Sequence, residues 1–476
     1  MREKIIISEK PDIIWLNKFE IFNRINSNHF RSYMIKNDEN IKSSNLNMMK
    51  IKDIVDKNRR GKGFGAICRG DIVNYKVRNL TNYGIDHDAD TIGNELYKKN
   101  KLAHILRGDV LLASTGVGSL GKVDLFCGDF DATADGHITI LTAKNGFDGG
   151  YLKSYLQCEF GQILIEQNTL GSTGQTELYP KDIGEMIIPI PSPEIQKYIG
   201  DKVRRAEELR EEAKRLKEEA EDIVDKAIDI DNLTEKVRKY TVKNKWVNSS
   251  KIEGRVDGQY YTSPIIEINK DMAKVNADIC TLKEVAKVGK GFSFSDEDNL
   301  EGVPYVRISD LDDLLIDYSK IVKTDYKTYQ QKVNAQLKEY DLVMAITGAT
   351  IGKVSMFYGK EVEKSTLSAD TAYVRFKNPI DSVACLLYLK TIIGQIAITQ
   401  GITGATNKHL AMEDIRNIGL PKFEENIKEM VKNKIINSID NIYTSKQLIQ
   451  EAKQDVEDLI EGNFDMSKLN NATQEQ

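Results

Sequence analysis

The chain repeats itself, and that limits what it can fold into more than any other feature. Gly161-Gln162, Gln167, Asp182-Ile183 and Pro189 recur in order as Gly394-Gln395, Gln400, Asp414-Ile415 and Pro421, displaced by about 232 residues. Upstream, Asp109, Thr115, Gly116, Gly121 and Lys122 fall on Asp341, Thr347, Gly348, Gly352 and Lys353. Further back, Gly61-Lys-Gly-Phe64 resembles Gly289-Lys-Gly-Phe292, and residues 23–30 loosely echo residues 254–261. Several matches in one order at nearly one offset make chance a poor explanation. The 476 residues, long enough for two to four domains, are therefore one module used twice.

Each copy has a globular head and a charged tail. In the heads, VLLAST, LVMAIT, ITILTA and AYVRF read as buried or half-buried strands. YLKSYLQCEFGQILIEQ (151–167) and LLYLKTIIGQIAITQ (386–400) each read as one helix, with apolar residues three and four apart. The expected class is α+β, with a mixed or mostly antiparallel sheet plus helices in each duplicated head. The expected partition is a first head at 1–193, a long helix and linker at 194–245, a second head at 246–421, a second long helix at 422–462 and a polar tail at 463–476.

The tails have a different texture. From residue 206 the apolar positions Ala206, Leu209, Ala213, Leu216, Ala220 and Ile223 alternate three and four apart, as in a heptad seam. The second tail carries Ile435, Ile439, Ile442, Ile449 and Val456 in a less regular seam that Lys446 interrupts. About 35 residues make a helix of roughly 50 Å at 1.5 Å per residue. Such a stripe needs a partner, and the copy in the same chain is the simplest one. The two helices are expected to pair as an antiparallel coiled coil.

Signatures of chemistry are missing or broken. Gly116-Val-Gly-Ser-Leu-Gly121-Lys122 fits a dinucleotide fingerprint and nearly fits a phosphate loop. Those loops must open a helix, whereas the residues that follow, VDLF, read as a strand. The second copy is one residue shorter and breaks the pattern. The chain contains no H-E-x-x-H or G-x-S-x-G, and its five histidines have no metal-ligand spacing. Five scattered cysteines point to a reducing, cytoplasmic setting. The polar N-terminus and the lack of an 18-residue apolar run point away from secretion and from a membrane.

What remains is a binding protein whose loops are rich in small polar residues and lysine. One loop pair holds Thr115, Ser119 and Lys122, matched by Thr347, Thr350 and Lys353. A second holds Ser172, Thr173, Gln175 and Thr176, matched by Thr406, Asn407 and Lys408. Arg59, Arg60 and Lys62, with Lys290 in the second copy, add local positive charge. Lysine neutralises phosphate, and Ser, Thr, Asn and Gln bond phosphates or base edges. These residues are the candidate DNA contacts, with Lys122 and Lys353 on phosphate and Gln175 and Asn407 near base edges.

In each copy a Gly-Ser/Ala-Thr turn leads through Lys-Asp-Ile or Glu-Asp-Ile to Ile-Pro-Ile-Pro or Gly-Leu-Pro, and then to a long charged helix. In this order and duplication the chain resembles the specificity subunits of type I restriction-modification systems over nearly its whole length. The resemblance implies that each head is a target recognition domain reading one half of a bipartite, asymmetric DNA site. The helices would then set the spacing and dock two modification subunits. It implies no catalysis and no cofactor in this chain. S-adenosylmethionine, ATP and Mg2+ would belong to the modification subunits and to restriction (translocase and nuclease) subunits. Three other readings stay open here: a recognition subunit of a type IIB-like system, a nucleotide-binding enzyme using the Gly116–Lys122 loop, and a purely structural coiled-coil adaptor.

The net charge of -5 then divides. Residues 194–228 hold 11 acids against 9 bases, and residues 424–460 hold 8 against 5. The excess acidity lies in the helices, so the heads are neutral overall and DNA affinity must come from local lysines and from partner subunits.

Overall fold

The computed structural model describes residues 31–472, apart from 66–69, 117, 172–175, 242–245, 247, 250–251, 253–257, 265–266, 269, 272–277, 295–300, 361 and 405–407. The echo at residues 23–30 lies outside the described residues. The chain gathers into two compact units, residues 1–212 with 440–476, and residues 213–439. Each unit is therefore one head together with one half of each long helix.

In the first unit, a four-stranded sheet runs in the order Val55–Arg60, Ile138–Ala143, Val110–Ala113, Val123–Leu125, with every neighbour antiparallel. A second sheet contains one parallel pair, Ile72–Tyr75 beside Ala132–Ala134. Tyr75, Phe126, Ile138 and Ile140 fill a core between them. The second unit repeats the plan. Ala286–Lys290, Thr371–Phe376, Leu342–Ala345 and Val354–Met356 form the antiparallel sheet, and Val303–Val306 lies parallel to Thr366–Leu367. Both heads are thus mixed α+β, and the four strands expected from their apolar runs are present.

The Ile-Pro-Ile-Pro motif has a structural role. Ile187–Ile190 pairs antiparallel with the entering strand Asn47–Lys50, and the long helix begins at Pro193. In the second head, Gly419–Pro421 pairs with Ile279–Thr281. In a two-stranded pair one edge needs no donor, so proline is tolerated. The motif closes each head and aims the chain into a helix.

Each helix expected to be continuous is in fact two. The first head has Gly149–Gln157 and Glu159–Asn168, separated by an extended Cys158 (ψ 168°). The second has Ile380–Lys390 and Ile392–Gln400, separated by Thr391 and bent by 89°. The repeated Gly-Gln pair explains both breaks. A Cβ on Gly161 would lie 1.9 Å from the Tyr155 carbonyl oxygen, and one on Gly394 would lie 2.2 Å from that of Tyr388. Only glycine lets the second helix cross so close to the end of the first. The glutamine then caps that end: Gln162 Nε2 donates to the Leu156 carbonyl at 2.7 Å, and Gln395 Nε2 to that of Leu389 at 2.7 Å. Apolar periodicity continues through the break, which is why it does not reveal the turn.

The long helices run Pro193–Ile228 and Glu425–Glu461. In the first unit Ile199, Val203, Ala206, Ile449, Ala452 and Val456 join the head core. There Lys202 Nζ lies 2.7 Å from Asp455 and 3.3 Å from Glu451. In the second unit Ser438 Oγ donates to the Ala213 carbonyl at 2.6 Å, and Lys434 pairs with Glu219. As one helix is followed forward its partners run backward, so the pairing is antiparallel. Lys434 and Glu219 are the repeat equivalents of Lys202 and Glu451, so the same bridge is made once in each unit.

The seam differs in detail from its expected form. Ala206, Leu209, Ala213, Ala220, Ile435, Ile439, Ile449 and Val456 are buried, whereas Leu216, Ile223 and Ile442 are only half-buried. Val224 and Ile228 are buried in place of Ile223. A straight helix has 3.6 residues per turn and drifts away from a 3.5-residue repeat. In the second helix the heptad is complete once serines are counted: Val431, Ile435, Ser438, Ile442, Ser445, Ile449, Ala452 and Val456. Ser438 and Ser445 are buried, and hydropathy alone conceals them. No single helix among the described residues is long and apolar enough to cross a membrane.

Candidate nucleic-acid interface

In the first head, Val110–Ala113 and Val123–Leu125 are joined by the glycine loop, which closes a hairpin and opens no helix. Gly116 (φ +99°), Gly118 (φ +79°) and Gly121 (φ +88°) occupy the left-handed region that the turn requires. The helix N-terminus that a phosphate loop supplies is not formed here, so the nucleotide fingerprint is a coincidence of glycines. The second hairpin turns the same way through Gly348 (φ +78°) and Gly352 (φ +94°).

The two polar loops meet in each head. Gly116 N donates to the Thr176 carbonyl at 3.4 Å, and Gly348 N donates to the Lys408 carbonyl at 3.3 Å. Bridges between Thr115 and Glu177, and between Thr347 and His409, join the same loops. A third segment completes each rim. Thr115 Oγ1 lies 2.6 Å from His137 Nδ1, and Thr347 Oγ1 donates to Asp370 Oδ1 at 2.8 Å. Gln162 and Gln395 brace the loops from beneath, donating to the Gly121 and Gly352 carbonyls at 2.9 and 3.0 Å. In the sequence, the only sign of this loop support is the repetition of the glutamine beside glycine.

Lys353, Thr350, Lys408 and Lys290 are exposed, and Thr115, Ser119, Lys122, Thr176 and Thr347 are half-buried. Ser172, Thr173, Gln175, Thr406 and Asn407 lie outside the described residues. The arginines face inward. Arg59 donates to the Leu102 and His104 carbonyls at 2.5 and 2.9 Å. Arg60 pairs with Glu177 at 2.6 Å, donates to the Leu178 carbonyl at 3.0 Å and lies over the Tyr179 ring. Lys62 bonds Asn100 Oδ1 at 2.6 Å. Of these three cations, Arg60 holds a rim segment, and Arg59 and Lys62 hold residues 100–104.

The repeated aspartates are braces as well. Buried Asp109 accepts from Leu106 N and Thr142 Oγ1, and buried Asp341 accepts from Lys338 N and Arg375. Burial pushes both carboxyls up. A further charged cluster ties the first head to its helix. Asp124, fully buried, accepts from the backbone N of Thr81, Asn82 and Gly84. Burial lowers the Lys153 ammonium to about 8 and raises the nearby Glu207 carboxyl to about 7. Among the described residues no group of three or more His, Cys, Asp or Glu is placed to hold a metal ion.

The two heads thus carry two rims of one design. A sequence model described as the type I restriction modification DNA specificity domain matches residues 43–222 and again 274–457. The chain belongs to this family. It is a DNA specificity subunit of a type I restriction-modification system. Among solved structures it is similar to the type I S subunit from M. genitalium, at 14% identity over 89% of this chain and 97% of that one, with a TM-score of 0.44. It is also similar to the HsdS subunit from Thermoanaerobacter tengcongensis, at 14% identity over 88% of this chain and 97% of that one, with a TM-score of 0.30. No curated protein matches the chain. A specificity subunit takes part in restriction-modification complexes and recognises DNA.

Proposed function

We propose that each head of this specificity subunit reads one half of a bipartite, asymmetric DNA sequence. The paired long helices set the gap between the halves and dock two modification subunits. Those subunits would bind S-adenosylmethionine and methylate adenine N6, and restriction subunits would bring ATP- and Mg2+-dependent translocation and cleavage, all in the cytoplasm. The observation that carries the reading is the duplicated rim. One scaffold is built twice, with Lys122 and Thr176 on the first copy against Lys353 and Lys408 on the second. Identical scaffolds bearing different side chains suit one duplex read at two different sequences. Reaching an adenine requires it to be flipped from the stack, so the heads hold the duplex while a partner captures the base.

Lys122 and Lys353 are assigned to phosphate. Lys122→Ala and Lys353→Ala should each weaken binding of the assembled complex by a similar factor for every DNA sequence. Each should reduce the slope of log K against log salt by about 1. Titration of specific and scrambled duplexes at several salt concentrations measures both effects. A loss confined to one sequence would contradict the phosphate role. Because the heads are neutral overall, the chain without partners should bind DNA weakly in the same assay.

A further inference from the structure

The two rims differ in chemistry at an equivalent point beside the repeated threonine, His137 in the first head and Asp370 in the second. His137 precedes Ile138, which pairs with Ala113, and Asp370 precedes Thr371, which pairs with Ala345. The backbone holds both in the same way: Ser114 N donates to the His137 carbonyl at 2.9 Å, and Ile346 N to that of Asp370 at 3.0 Å. Each side chain is held by the repeated threonine, at 2.6 and 2.8 Å. Each is also exposed, with the His137 side chain 67% accessible.

The carboxylate of Asp370 is the informative group. It stands on a rim with exposed Lys353 and Lys408, yet among the described residues it forms no ion pair, and its one side-chain hydrogen bond is the donation from Thr347 to Oδ1. An unneutralised carboxylate repels phosphate. Being acceptor-only, it matches a base edge that presents an amino group, cytosine N4 or adenine N6 in the major groove. His137 has one ring nitrogen engaged by Thr115. The other, Nε2, lies 4.0 Å from Asp135 Oδ1 and can donate or accept.

We propose that Asp370 and His137 are base-reading residues, one in each head. In this assignment Asp370 selects an amino-bearing base in its half-site. His137, on the same scaffold, selects a base by different chemistry in the other. The assignment rests on the half-site reading given above.

The test uses the full chain assembled with its modification subunits and maps N6-methyladenine across a genome. Wild type is compared with Asp370→Asn and His137→Asp, with thermal melting of each complex as the check on folding. Asp370→Asn, nearly isosteric, should lose about tenfold or more of the discrimination at one position of one half-motif and leave the other half unchanged. His137→Asp should alter one position of the opposite half. A bipartite wild-type motif left intact by Asp370→Asn, or a uniform loss across all sequences with melting unchanged, would overturn the assignment alone. A wild-type motif that is not bipartite would overturn the underlying reading and the assignment with it. If His137→Asp does not fold, Asp370→Asn still decides.

Discussion

Gly161→Ala is expected to destabilise the first unit by about 3 kcal/mol, at the upper end of the cost of overpacking a core. The added Cβ would sit 1.9 Å from the Tyr155 carbonyl oxygen and 2.8 Å from Leu156 Cα. Both are backbone atoms, so no side chain can swing away to relieve the clash. The crossing helices would have to separate, and Gln162 would lose its hold on Leu156 and on Gly121 together. Gly394→Ala should do the same to the second unit, where the contact is 2.2 Å to Tyr388. Gly63→Ala is the control, with nothing within 4 Å of its Cβ, and should be close to neutral. Hydrogen exchange resolved by segment distinguishes the cases. Loss of protection confined to the mutated unit is the expected pattern, and a neutral Gly161→Ala would refute the account of the helix crossing.

Lys202→Met and Lys434→Met should differ in cost although they occupy equivalent positions. Lys202 pairs with Asp455, whose side chain is only 2% exposed. Removing the cation leaves a buried carboxylate supported by Lys468 alone, also at 2.7 Å. Breaking a buried pair costs about 3–5 kcal/mol when nothing replaces it, so with Lys468 remaining we expect about 2–3 kcal/mol. Lys434 and Glu219 are 26% and 38% exposed, so solvent screens that pair and Lys434→Met should cost clearly less than Lys202→Met. Chemical denaturation of the two variants measures the difference. Equal losses would contradict the burial argument.

The repeat, the strands and the long helices were legible in the sequence because burial imposes a hydrophobic period on each. Three features were not. The turns at Cys158 and Thr391 interrupt no apolar pattern: both halves of the first bent pair face one core, and both halves of the second carry buried apolar residues. The seam of the second unit uses Ala213 and Ser438, whose small size permits close approach but gives no hydrophobic signal, and Ser445 in the first unit is buried as well. In the rim, comparison of the copies exposed what is shared, Thr115 with Thr347 and Lys122 with Lys353. His137 and Asp370 differ between the copies, so the repeat does not single them out. The charge of Arg59 and Arg60 is visible in a sequence, whereas the carbonyls and carboxylate that engage them come from 43 to 118 residues away.

The central claim is that one module used twice reads two different half-sites. It is tested most directly by expressing the chain with its modification subunits and mapping N6-methyladenine genome-wide, before and after residues 1–193 are exchanged for those of a different specificity subunit. The account predicts a motif of two short blocks separated by a gap of fixed length. The exchange should replace one block and leave the other block and the gap unchanged. A single contiguous motif, or an exchange that altered both blocks, would contradict it.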